Sequence, residues 1–168
     1  MRTVLYNCGP IVCFDSDKPL VGQQMLNDDW IKPDGLAIIV NSNTIESIQD
    51  SEAALDDYES HLSNSNNTKL IDVNKRAIVP GLIDSHTHLV WGGDRSREVR
   101  LRLHGKSYRD IANMGGGINS TVSQTRKMSE LELFTLAKRR AIIAMNNGTT
   151  YIETKSGYGL DTENELKL

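Results

Sequence analysis

Residues 77–154 constrain the fold most, because strand and helix patterns alternate along them. Residues 77–83, just before Asp84, are apolar and have no alternating polar face, which is typical of a strand covered on both sides. A long helix is predicted from Ser129, and residues 149–154 are β-rich again. A strand, a helical crossover and a second strand build a parallel α/β sheet. We therefore predict an α/β fold from residue 79 onward.

The long crossover helix carries signals at both of its ends. Ser129 and Glu132 form an S-x-x-E capping box, and Gly148 stands where a C-terminal glycine belongs. Five side chains are predicted to form its buried face: Phe134, Ala137, Ala141, Ala144 and Met145. Shorter helices are expected at 108–113 and at about 121–128.

Residues 1–78 show short strands separated by polar segments. The β-rich pieces are 4–6, 11–14, 36–40, 44–48 and 68–73. The third and fourth pieces are predicted to pair as a hairpin, 51–58 to be a short helix, and the polar 63–67 to be an exposed loop. These residues offer no convergent set of polar side chains. We predict part of a small antiparallel β-domain of the β-sandwich type over 1–78, followed by a second domain over 79–168 that holds two βα units.

Composition argues against several classes of partner. The chain has 19 basic and 22 acidic residues, a net charge of -3 and no block of one sign, so nothing favours nucleic acid or an acidic membrane surface. No run approaches the roughly 18 apolar residues of a membrane span, and the start lacks a signal-peptide pattern. We predict a cytoplasmic protein. Cys8 and Cys13 have no partners at metal-ligand spacing and are expected to be reduced.

The end of the chain suggests a longer protein. Thr162 and Glu165 form a second capping box, although the sequence stops at Leu168, and so short a helix has little stability alone. A complete parallel barrel takes roughly 250 residues, whereas 79–168 supply two strands. We expect an N-terminal fragment in which a (β/α)8 barrel is incomplete.

His86 and His88 follow the predicted buried strand and are two residues apart. Side chains at i and i+2 leave the same face of a strand, so both imidazoles can bind one metal ion. Barrel enzymes place catalytic groups at this end of their strands. The alternative is ordinary polar surface. Two ligands do not complete a hydrolytic site, and for the remaining histidines, His61 and His104, we expect solvated structural roles.

Other polar residues near the predicted strand ends have two interpretations each. Arg95 follows Gly92-Gly93 and suits bidentate capture of a carboxylate, but it can equally be a surface charge. Tyr158 follows the second strand, with Lys155 beneath it, and is expected on the same face. The triplet 115–117 lacks the lysine and the spacing of a nucleotide-binding loop and is predicted to be a turn or flexible lid.

Five motifs together resemble the imidazolonepropionases of histidine breakdown. They are PGLIDSHTHL at 80–89, WGGDR at 91–95, SY at 107–108, GGGI at 115–118 and ETKSGYGL at 153–160. The H-x-H pair alone would indicate only the amidohydrolase superfamily. The resemblance covers 79–166, and the earlier residues match only in general character.

The resemblance implies hydrolysis of the cyclic amide C–N bond of 4-imidazolone-5-propanoate to N-formimidoyl-L-glutamate, with zinc or iron as cofactor. It implies that His86 and His88 are the first two metal ligands, that Arg95 binds the propionate carboxylate, and that Tyr158 contacts the substrate, with Tyr108 as a secondary candidate. The remaining ligands and the catalytic residues belong to later strands. The 168 residues alone are therefore expected to be inactive, and the full-length protein is a candidate homodimer.

Two other interpretations remain open at this point. A different amidohydrolase, such as a deaminase or a cyclic-ureide hydrolase, would share the H-x-H strand but would not need a carboxylate-binding Arg95. A truncated product without activity would be an interaction module or would be unstable. Its unpaired strand and exposed apolar helix faces would favour association or aggregation.

Overall fold

The computed structural model describes residues 1–14, 18–27, 29–60 and 67–168. His61 and most of the predicted polar loop lie outside the described residues. The chain divides into two compact units, Met1–Pro80 and Gly81–Leu168. Among the described residues, no helix is long and apolar enough to cross a lipid bilayer.

Eight strands and six α-helices lie within the residues that the structure describes. The strands are β1 (Arg2–Tyr6), β2 (Ile11–Val12), β3 (Ile31–Lys32), β4 (Leu36–Asn41), β5 (Thr44–Asp50), β6 (Thr68–Asp72), β7 (Leu82–Thr87) and β8 (Thr149–Thr154). The helices are α1 (Ser51–Ser60), α2 (Ser96–Leu103), α3 (Tyr108–Asn113), α4 (Ile118–Lys127), α5 (Glu130–Asn146) and α6 (Thr162–Lys167). A short 3-10 helix covers Gly22–Leu26.

The first unit is built on a four-stranded sheet with the order β5-β4-β1-β6. The predicted β4–β5 hairpin is confirmed, because these strands pair antiparallel. The prediction of an antiparallel domain is wrong for β6, which runs parallel to β1. A parallel neighbour needs a crossover connection, and β4, β5 and α1 lie between these two strands in the chain.

Both faces of β4 are buried, which explains its continuous apolar sequence. Ala37 and Ile39 pack with Val4 and with Ala54 of α1 on one face. Ile38, which points the other way, packs with a second group that includes Cys8 and Ile11. Cys8 is fully buried, and this burial raises the pKa of its thiol. Cys8 and Cys13 are both free.

The second unit contains the predicted crossover. Strands β7 and β8 pair in parallel, and the four helices α2 to α5 connect them. The prediction that β7 is buried on both sides is wrong in this structure, since Ile83 is 71% exposed. The physical reason is that, within the described ranges, β8 is the one strand paired with β7, while α5 packs against β8.

Helix α5 has the predicted ends, but its buried face matches the prediction only in part: Ala137, Ala141 and Ala144 are half-buried, whereas Met145 is 60% exposed. The Ser129 hydroxyl accepts a hydrogen bond from the Glu132 amide at 3.3 Å, and the Glu132 carboxylate accepts one from the Ser129 amide at 2.8 Å. Phe134, predicted to be buried, is 62% exposed, whereas Leu133 is 1% exposed. Arg140 lies seven residues after Leu133, on the same side of the helix. Its charge interrupts the helical repeat of apolar residues from which a buried face is predicted.

The cap of helix α6 lies one residue before the predicted cap, Thr162. The cap is Asp161, whose carboxylate accepts from the Asn164 amide at 2.8 Å, so the predicted Thr162–Glu165 box is wrong. Glu165 instead accepts hydrogen bonds at 2.7 Å from the amides of Gly159 and Leu160. Asp161 also pairs with Arg126 at 2.8 Å. These contacts hold α6 to the preceding loop and to α4.

Candidate active site

The two histidines of the H-x-H motif lie at the C-terminal end of β7. Their ring centroids are 5.5 Å apart, with the ring planes at 75°. His86 is exposed and its amide donates to the Asp84 carboxylate at 3.2 Å, while His88 is half-buried. The i, i+2 spacing on an extended strand therefore places both imidazoles together, as strand geometry requires.

The loop after β8 covers one side of His88. The Lys155 amide donates to the Thr87 carbonyl at 2.9 Å, which extends the parallel pairing to the strand ends. A Cβ at Gly157 would lie 3.0 Å from His88 Cε1, so a larger residue there would crowd the ring. The Tyr158 ring centroid lies 5.2 Å from that of His88. The Lys155 side chain forms an ion pair with Glu153.

The donor set fits part of the ligand set of a divalent metal. Zinc and iron both accept imidazole nitrogen. Nδ1 of His88 is buried and has no hydrogen-bond partner among the described residues, so this imidazole has coordinating capacity that the protein does not use. In the same ranges, no cluster of three or more His, Cys, Asp or Glu side chains is arranged to hold a metal. His86 and His88 thus supply two donors of an incomplete set.

Arg140 of α5 holds the segment that follows the histidines. Its Nη1 donates to the carbonyls of Leu89 and Trp91 at 2.6 and 2.8 Å, and its guanidinium lies 3.7 Å above the Trp91 ring. The Trp91 indole N–H donates to the His88 carbonyl at 3.1 Å. Burial lowers the pKa of Arg140. The cation–π contact and the two hydrogen bonds fix this segment to the crossover helix.

Arg95 is paired side-on with Glu98. Its Nε and Nη2 donate to the two Glu98 oxygens at 2.9 and 2.7 Å, and the Gly117 amide donates to Glu98 Oε1 at 2.6 Å. Glu98 is 8% exposed. Both residues line a cavity of about 630 Å³ together with residues of α3, α4 and the 115–117 turn.

Both candidate tyrosines lie within electrostatic range of Arg95. The pKa of Arg95 is raised, first by the hydrogen bonds to Glu98 and to a smaller extent by Tyr108 and Tyr158. The Tyr108 hydroxyl would be 3.6 Å from a Cβ at Gly117. The structure therefore places Tyr158 beside His88 and Tyr108 beside the glycine turn.

His104 lies apart from the histidine pair, at the end of α2. It is exposed, and its Nδ1 is 2.8 Å from the carbonyl oxygen of Arg100. The turn 115–117 leads into α4, and its outer glycines, Gly115 and Gly117, have φ of 82° and 73°. Such positive φ values favour glycine over other residues.

Comparison with known proteins identifies relatives of this chain. The chain is 59% identical over 99 residues to an imidazolonepropionase of Idiomarina loihiensis, a match covering 59% of this chain and 24% of the relative. It is 44% identical over 148 residues to that of Klebsiella pneumoniae, covering 85% of this chain and 34% of the relative. By sequence, the chain belongs to the imidazolonepropionase family. A third imidazolonepropionase, from Staphylococcus aureus, is 40% identical over 152 residues, or 90% of this chain and 34% of the relative.

The chain spans about a quarter to a third of the length of these imidazolonepropionases. No protein-family model matches it. A solved structure described as a Xaa-Pro dipeptidase with methionine bound in its active site has a TM-score of 0.52 and 15% identity, covering 94% of this chain and 27% of that one. At that identity the likeness concerns the fold, which is mixed α/β.

Three polar residues around the site were not predicted from the sequence. Glu98 stands three residues after Arg95, a spacing at which side chains meet on a helix, but the basic character of α2 concealed it. Arg140 lies at a helical spacing from the buried Leu133 of α5, but its charge indicates an exposed position. Thr125 is fully buried and gave no signal in the sequence.

Thr125 links α4 to the glycine pair that precedes Arg95. Its hydroxyl accepts a hydrogen bond from the Gly92 amide at 2.9 Å in a buried position. Thr125→Val keeps the shape but leaves this N–H unsatisfied, so we expect a loss of about 1–3 kcal/mol in the free energy of unfolding. Denaturant titration of the full-length protein measures this loss. Thr135→Val, at an exposed position on α5, is the matched control, and an equal effect in both variants would contradict the assignment.

Proposed function

We propose that the protein carrying this chain is a metal-dependent imidazolonepropionase. It would hydrolyse the cyclic amide C–N bond of 4-imidazolone-5-propanoate and release N-formimidoyl-L-glutamate. The observation that carries the proposal is the arrangement at the C-terminal ends of β7 and β8, where the rings of His86 and His88 lie together and the Tyr158 ring packs on His88 with 5.2 Å between centroids. An aromatic residue beside two imidazoles suits a ring substrate, and the Arg95 guanidinium suits the charged tail of that substrate. Membership of the family supports the same assignment.

We also propose that β7 and β8 are the first two strands of a (β/α)8 barrel. Their parallel pairing through a helical crossover and the location of the candidate residues at their C-terminal ends both support this. The exposed apolar side chains Ile83 and Tyr151 would then lie in the barrel wall. The remaining strands would come from other parts of the full-length protein.

The residues of this chain would act at both ends of the substrate, the ring and the carboxylate tail. His86 and His88 would hold the metal, which when bound polarises a carbonyl and lowers the pKa of bound water towards roughly 7. Arg95 would bind the propionate carboxylate and so fix the distance between that tail and the ring. Tyr158 would restrict the orientation of the ring. Holding both ends converts binding energy into alignment of the scissile bond.

The decisive test is hydrolysis by the full-length protein. Purified protein is incubated with 4-imidazolone-5-propanoate, and N-formimidoyl-L-glutamate is quantified by mass spectrometry. We expect product formation that a chelator abolishes and added zinc or iron restores. We expect no turnover by the 168-residue chain alone, because its described residues include no cluster of three or more metal-binding side chains.

An analogue in which a neutral primary amide replaces the carboxylate is the matched substrate. Slower hydrolysis of this analogue supports the carboxylate-binding assignment. Absence of product from the natural substrate in metal-replete protein would overturn the proposal. It would favour a deaminase or cyclic-ureide hydrolase instead.

A further inference from the structure

Glu98 is a buried carboxylate that lies beside the candidate site and has no role in the hydrolysis described above. It belongs to the first turn of α2, where Arg95 is the N-terminal cap. Its two oxygens accept three hydrogen bonds: two from Arg95 and one, at 2.6 Å, from the Gly117 amide. Three partners leave this carboxylate little freedom to move.

The pairing uses only one edge of the Arg95 guanidinium. A guanidinium has five N–H donors in a planar fork, and Glu98 engages the edge formed by Nε and Nη2. Among the described residues, no hydrogen bond involves the edge formed by Nη1 and the second N–H of Nη2, so this edge remains for another carboxylate. The Arg95 side chain is 35% exposed, so this edge is compatible with access by a small molecule.

Glu98 also joins Arg95 to the turn 115–117. A Cβ at Gly116 would lie 3.0 Å from Glu98 Oε1 and 2.7 Å from Ile111, so the turn packs directly against the carboxylate. The hydrogen bonds from Arg95, and then that from Gly117, lower the pKa of Glu98. The carboxylate therefore stays ionised at neutral pH and holds both partners by charge-assisted hydrogen bonds.

We propose that Glu98 is a positioning residue, which orients Arg95 so that its free edge selects substrates with a carboxylate tail. The inference rests on the proposed function and deepens it, because it assigns specificity for the charged tail to the Glu98–Arg95–Gly117 contact. A randomly oriented Arg95 would attract an anion but would not hold it at a fixed distance from the ring.

Glu98→Gln in the full-length protein tests this inference. Glutamine keeps the shape, but it has one acceptor oxygen and presents an NH₂ group to the other donors. We expect KM for 4-imidazolone-5-propanoate to rise about tenfold, kcat to change less than about threefold, and KM for the neutral amide analogue to stay unchanged. Glu130→Gln, at an exposed position in the first turn of α5, is the matched control and should behave as wild type.

The other outcomes decide against the inference. An unchanged KM, or equal losses with both substrates, would show that Glu98 serves stability alone. If Glu98→Gln does not fold by circular dichroism, Glu98→Asp is measured in the same way, and loss of folding in both variants would also overturn the inference. Failure of the proposed function gives a different result, because the wild-type protein itself would then not hydrolyse the imidazolone. That result would also overturn the inference about Glu98.

Discussion

Alanine at His86 or at His88 is expected to remove the bound metal and the hydrolytic activity together. Each imidazole supplies one donor nitrogen, and within the described ranges no nearby cluster of metal-binding side chains can replace it. Loss of an outer-shell partner alone costs roughly 10–100-fold in metal affinity, so loss of a direct ligand should cost more. Metal content of the purified full-length variants, measured by mass spectrometry, tests this independently of activity.

His86→Ala is the cleaner of the two variants because its side chain is exposed, whereas His88 packs against Tyr158. His104→Ala is the matched control, since His104 lies at the end of α2 and contacts a backbone carbonyl. It should retain full metal content. Stoichiometric metal in both His86→Ala and His88→Ala would show that the H-x-H pair is not the metal site.

Local signals in the sequence predicted most elements of the second unit, although helix α2 was not among them. The Ser129–Glu132 box and Gly148 define the ends of α5 through neighbouring backbone groups, so no tertiary information is needed. The H-x-H pair is equally local, because the direction of side chains on a strand follows from its period of two. These features depend on residues within a few positions of one another.

The burial of side chains depended on contacts that the sequence does not encode locally. Leu82 and Ile83 are apolar and were predicted to be buried, yet exposure depends on how many strands and helices surround β7. Arg140 illustrates the opposite error. Its charge indicates a solvated position, but two carbonyls and the Trp91 ring, about fifty residues earlier in the chain, provide its partners.

The parts of the site that come from distant segments were predicted through family resemblance, as for Tyr158, or not at all, as for Glu98. Tyr158 reaches His88 because β8 pairs in parallel with β7 and brings both strand ends to one edge. Glu98 reaches the Gly117 amide, nineteen positions later, because α3 turns the chain back towards α2. Sequence position alone did not decide whether Arg95 and Tyr158 have functional or structural roles. Neither the register of strand pairing nor the packing of helices follows from the spacing of motifs.

Arg95→Lys is expected to lower kcat/KM for 4-imidazolone-5-propanoate by about 100-fold or more. Lysine keeps a positive charge beside Glu98, which should preserve the fold, but its ammonium cannot offer planar forks to two carboxylates. Hydrogen bonds to charged groups contribute about 1.5–3 kcal/mol each, and the loss of two accounts for at least this factor. The analogue with a neutral amide tail should lose less than about threefold, because it does not use the charged fork.

Arg100→Lys, at an exposed position on the same helix, is the matched control for Arg95→Lys and should leave both substrates unaffected. The two substrates separate binding of the tail from support of the structure. If Arg95→Lys slows both to the same extent, Arg95 acts through the Glu98 contact on the fold of the site and does not bind the carboxylate. If it slows neither, the guanidinium does not bind the substrate, and an amidohydrolase acting on an uncharged ring becomes the better assignment for the histidine pair.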